Sequence, residues 1–128
     1  MLLHVQTSPG EFLDKLTILE IKAERITDPA KLVNVGRELA LLRETWAASP
    51  LSVRDVGELV AALRRVNEAL WDVEDRLREK EAAQAFDAEF VELARSVYRS
   101  NDRRAALKRE LNLRLGSELI EEKSYRAY

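Results

Sequence analysis

Apolar positions recur every three or four residues along most of the chain, the period of a helix with one buried face. Phe12, Leu16, Leu19, Ala23 and Ile26 form one stripe, and Ile18 and Ile21 form a second. A helix apolar on two sides is expected to lie between neighbours. Ser8-Pro9-Gly10-Glu11 precedes it. A capping serine, a proline at the first helical position and a glutamate three residues after the cap predict a start at Pro9, with the helix running to about Ile26. Asp28-Pro29 repeats the cap-then-proline pattern and predicts a second helix, antiparallel to the first, ending near Trp46 or Ala47.

After the break at Ser49-Pro50-Leu51-Ser52, residues Val56, Leu59, Leu63, Val66, Leu70, Val73 and Leu77 mark a third helix of roughly four heptads with coiled-coil-like spacing. Asp87 is placed to cap a fourth, whose apolar side is Phe90, Leu93, Val97, Leu107, Leu111 and Leu115. Gly116 stands where a helix-ending glycine belongs. The predicted class is all-α: a short and a long antiparallel helical hairpin in one domain over residues 1–128. At 1.5 Å per residue the long pair spans on the order of 40 Å against about 27 Å for the short pair. The long hairpin therefore overhangs, and the exposed apolar surface predicts a homodimer. Residues 2–6 and 119–123 are expected to be extended and to pair as a small ribbon.

Polar residues interrupt this pattern. Tyr98, Asn101, Ala105, Lys108 and Asn112 share one face of the fourth helix, beside its apolar stripe. On the third helix Asn67, Trp71, Glu74 and Asp75 flank the heptad seam in the same way. An antiparallel hairpin would bring the two faces together as a polar seam, and burying such groups requires hydrogen bonds or ion pairs. One reading is structural: Asn67 with Asn101, or Glu74 with Lys108, sets the register of the hairpin. A second reading is a binding face, with Asn101, Arg104, Lys108, Tyr98, Asn67 and Trp71 as contacts for a protein partner or a small anionic ligand. A third adds Glu20 and Glu24, one turn apart on the first helix. With Glu74, Asp75 or Asp72 they would hold magnesium or manganese, while Lys108, Arg104 and Arg95 meet the phosphate of a nucleotide or sugar phosphate. That site would serve a metal-dependent hydrolase.

Composition narrows the chemistry further. With 46% hydrophobic and 34% charged residues and a net charge of −2, the chain has a folding composition and no overall basic footprint for nucleic acid. The absence of cysteine removes disulfides, thiolate nucleophiles and cysteine metal sites, and favours the cytoplasm. No apolar run reaches the length of a membrane span. The single histidine, His4, has no companion for zinc, and neither G-x-S-x-G nor a phosphate-binding glycine loop occurs.

The runs Ser8 to Lys22, Leu70 to Asp75 and Leu93 to Tyr98 with Asn101-Asp102, and then Gly116 to Tyr125, resemble a family of small bacterial proteins catalogued as a domain of unknown function. The resemblance covers nearly the whole chain. It implies a bacterial source, a compact stand-alone domain and an association with cell-envelope polysaccharide genes, and it brings no reaction or agreed site. All-α nucleotide pyrophosphohydrolases also hold magnesium between acidic helices. Their doubled-glutamate run and E-x-x-D spacing are not reproduced by Glu20-x-x-x-Glu24 and Glu74-Asp75, so no catalytic residue carries over.

Overall fold

The computed structural model describes residues 1–128. It contains four helices and no strand: α1 (Pro9–Arg25), α2 (Pro29–Ala48), α3 (Gly57–Ala82) and α4 (Ala88–Arg114), with a short 3-10 turn at Pro50–Val53. Local chemistry sets the boundaries. The Ser8 hydroxyl accepts from the Glu11 amide at 3.2 Å and Pro9 follows at the first helical position. Asp28 accepts from Ala30 and Asp87 from Phe90, so α2 and α4 start on side-chain caps of the same kind. Gly116, at φ +65°, ends α4. Its left-handed backbone lets the Ser117 amide reach the Asn112 carbonyl at 2.9 Å, which satisfies one of the carbonyls the helix end leaves open. Gln84 does the same for α3 at φ 55°, turning the Ala85 amide onto the Lys80 carbonyl.

The two longer helices pack against each other along the hairpin, and α1 lies against both of them. The other side of α1 carries α2. This is the sandwiched position that its two apolar stripes call for. Leu13, Leu16 and Leu19 of α1 join Leu39 of α2, Leu59 and Leu63 of α3, and Leu107, Leu111 and Leu115 in one core, with Val56 at its edge. Phe12 stacks on Trp46 at 6.0 Å between α1 and α2. All of this core sits at the base of the hairpin. Between Asn67 and Leu107 the only buried residue is Lys80, whose ammonium is held by Asp87 at the turn. That bond lowers the Asp87 pKa and raises that of Lys80.

Two expectations are corrected. The terminal ribbon does not form: residues 1–7 are all exposed, and Leu2, Leu3 and Val5 are 69%, 87% and 81% exposed. The carboxyl-terminal segment turns back along α4 instead, because its charged side chains find partners there: Glu121 meets Lys108 and Glu122 meets Arg109. The register pairs also differ. Asn67 and Lys108 are buried, but both face α1 rather than each other's helix. No helix is long and apolar enough to cross a membrane.

Candidate functional site

The polar seam is built around Asp14, a carboxylate in the middle of α1 with 1% of its surface exposed. Arg104 of α4 grips it with a two-pronged contact, Nε to Oδ1 at 2.9 Å and Nη2 to Oδ2 at 2.5 Å. From α3 the Asn67 amide donates to the same Oδ1 at 2.9 Å and to the Thr17 hydroxyl at 3.0 Å. Thr17 in turn donates to the Asp14 carbonyl. Three helices are thus tied through one carboxylate, and no buried polar side-chain atom is left without a partner. Planar donors in a fork match carboxylate geometry, which suits arginine to this position. The bond to Asp14 holds the Arg104 guanidinium above its ordinary pKa, against the effect of burial.

One turn along α4, Lys108 is 9% exposed at its side chain and meets Glu11 at 2.6 Å. Glu121 of the carboxyl-terminal segment stands further off, with both oxygens 3.4 Å from the ammonium. Burial is the largest single influence on Lys108 and works against its charge. The hydrogen bond and charge of Glu11, with the charges of Asp14 and Glu121, outweigh it, and the pKa lies above the usual lysine value. A further turn on, the Asn112 side chain accepts from the Gly10 amide at 2.7 Å. Gly10 is required by space here: a Cβ at that position would lie 2.5 Å from the Lys108 carbonyl oxygen. The amino end of α1 therefore rests directly on the backbone of α4.

The sequence-marked residues fall into separate places. Asn67, Arg104 and Lys108 belong to the seam, while Tyr98 and Asn101 continue the same face of α4 outward and are exposed. Together with the carboxyl-terminal segment they line a groove of about 1280 Å³. Its walls carry four cationic side chains, Arg104, Lys108, Lys123 and Arg126, against the single carboxylate of Asp102, and three tyrosines, Tyr98, Tyr125 and Tyr128. Tyr128 packs edge-on against Tyr98 with ring centroids 4.9 Å apart and donates to Asp102. That bond raises the Tyr128 pKa. Trp71 lies elsewhere, half-buried in a cavity of about 390 Å³ that also holds Glu74, Asp75 and Arg78 and touches Arg104 from the other side.

The four carboxylates marked as metal ligands do not form one group. Glu20 and Glu24 share Arg64, whose Nη1 lies 3.5 Å from Glu20 and Nη2 2.5 Å from Glu24, and Glu20 also meets Arg43. Glu74 pairs loosely with Arg78 at 3.7 Å. No three acidic or histidine side chains converge on one point suited to an ion. Sequence reasoning missed Asp14, Thr17 and Gly10, although a signal was present. Positions 10, 14, 17 and 21 follow 4,3,4 spacing on one face of α1, and three of those four are not apolar.

Residues 3–128 match the model of a family of unknown function, DUF6165. The chain belongs to that family. No curated protein and no solved structure matches it. For this DUF6165 member, the reading of function rests on its own side chains.

Proposed function

We propose that this DUF6165 protein is a dimeric binding module that takes a small anionic ligand in the groove between α4 and the carboxyl-terminal segment. The observation that carries the reading is the lining of the groove, a space of about 1280 Å³ with three tyrosines and four cations, of which Arg126 has no ion pair and Lys123 only a long one at 3.6 Å, while Arg104 and Lys108 are already paired with Asp14 and Glu11. Cations supply attraction for a phosphate or carboxylate, and phenol rings supply flat apolar faces with a polar edge. The buried Asp14–Arg104 pair gives the groove a fixed floor, as binding side chains need support from a second layer of contacts.

A thermal-shift titration with nucleoside monophosphates and sugar phosphates tests it. A ligand at about a hundred times its Kd stabilises the native state by roughly 2.7 kcal/mol. The shift is expected to fall sharply in a Lys123→Gln/Arg126→Gln double variant, which alters only exposed or half-exposed side chains. A ligand response left intact by that variant would place binding elsewhere and remove the groove from consideration.

The second copy is assigned to the overhang. Beyond Asp72, where Arg25 at the end of α1 makes its contact, the hairpin extends roughly 15 Å along α3 without another helix of the chain on it. Its heptad positions continue there, and Phe86 and Val91 are each 53% exposed. Two such hairpin ends side by side complete a four-helix arrangement, the usual way to close an apolar seam of this kind. Light scattering on purified protein is expected to give twice the mass of the chain, and Val91→Glu to shift it toward the monomer. A monomer at high micromolar concentration would remove the dimer.

A further inference from the structure

Lys108 has two carboxylate partners of different character. Glu11, on α1, makes the close contact, at 2.6 Å, from a half-exposed side chain on the first turn of that helix. Glu121 comes from a segment outside any helix, and its two oxygens sit symmetrically at 3.4 Å, in the position of a loosely held bidentate anion. Lys123 reaches the same carboxylate at 3.6 Å. Lys108 and Lys123 both line the binding groove and also a smaller cavity of about 220 Å³ on its flank, where Glu121 lies. The only other ion pair between this segment and α4 is the exposed one between Arg109 and Glu122 at 3.3 Å. We infer that Glu121 is an internal occupant of the anion position, and that a phosphate or carboxylate ligand binds by taking its place between Lys108 and Lys123, freeing residues 119–122 from α4 while Tyr128 stays on Tyr98 and Asp102.

The inference rests on the reading of the groove as an anion site and adds its regulation. An anion with charge spread over several oxygens makes shorter, charge-assisted bonds to two ammonium groups than a carboxylate at 3.4 Å does. Displacing Glu121 loses only a partly exposed ion pair, worth little in water, so ligand and segment are closely matched competitors. Glu11 stays in place throughout, which keeps Lys108 charged and the seam intact whichever anion occupies the outer position.

The test uses inorganic phosphate as the probe, titrated into the full chain and followed by amide shifts at low ionic strength. Glu121→Gln is expected to bind phosphate about two- to five-fold more tightly than the parent, the range spanned by an exposed ion pair. Glu118→Gln makes the same charge change on the same segment, where Glu118 has no ion-pair partner, and is expected to leave the affinity unchanged. In the parent protein, saturating phosphate should speed hydrogen exchange of residues 119–122. Equal binding by the parent and Glu121→Gln, or equal strengthening by both variants, overturns the inference while leaving an anion site in place. If none of the three proteins binds phosphate, the groove fails as an anion site and the inference falls with it.

Discussion

Replacing Arg104 with methionine is expected to lower stability by roughly 3–5 kcal/mol, the cost of leaving one member of a buried ion pair without the other. The side chain is 29% exposed, but its partner Asp14 is 2% exposed and cannot turn to water. Methionine keeps much of the aliphatic packing, so the loss is electrostatic. Asn67 donates one hydrogen bond to Asp14 and cannot supply the two that Arg104 gives. In a chain of this length the melting temperature should drop by about 10 °C or more. The double variant Asp14→Leu/Arg104→Met is expected to recover part of the loss, because it removes both charges together. Chemical denaturation of the three proteins checks this. Single and double variants of equal stability would mean that the unpaired Asp14 carboxylate carries no penalty.

The second large effect is expected at Gly10, where substitution by alanine runs against helix propensity. In an exposed helix, glycine to alanine gains up to about 1 kcal/mol. Here the new methyl would stand 2.5 Å from the Lys108 carbonyl oxygen and 2.8 Å from Asn112 Oδ1. The first of these atoms is backbone and cannot swing aside. The start of α1 must move away from α4, stretching the 2.7 Å bond from the Gly10 amide to Asn112. A net loss of about 1–3 kcal/mol is expected, the range for overpacking a tight interface. Asn112→Ala should not rescue Gly10→Ala, since the clash with the carbonyl remains. A rise in melting temperature on Gly10→Ala would show that the close approach of α1 and α4 is absent in solution.

Both effects arise at a contact that was only partly legible in the sequence. Caps and stops were readable because they depend on neighbouring residues: Ser8-Pro9, Asp28-Pro29, Asp87 and Gly116 each set a helix end where the structure has one. The polar face of α4 was readable from its spacing. Its partner was not, because a helix face shows that something opposes it without showing which helix does. The hairpin made α3 the nearest candidate for Lys108, and the structure supplies Glu11 of α1. Asp14 was obscured by Lys15 and Glu11 beside it, which make a buried carboxylate look like one more charge on a solvated face. Glu20 and Glu24 had the spacing to share a cation, and the cation present is the guanidinium of Arg64. The groove was hidden for another reason: five of its 13 lining residues come from residues 123–128, which have no periodicity to read, and ion pairs rather than a helix hold that segment to α4.

These contacts share a direction. The Asp14 knot and the Gly10 contact fix α1 on α4, and with it the positions of Arg104 and Lys108 under the groove. Fold and proposed site therefore depend on the same seam, and the distal hairpin beyond it buries only Lys80.

The most direct test of the binding reading is an amide-resolved titration of the isotopically labelled protein with a nucleoside monophosphate or sugar phosphate that raises its melting temperature. The expected result is a saturable set of shifts over residues 98–108 of α4 and 121–128 of the carboxyl-terminal segment, with little change around Glu20, Glu24 and Arg64. Shifts centred instead on Trp71, Glu74 and Asp75, or confined to neither place, would contradict a ligand site between α4 and the segment that folds back along it.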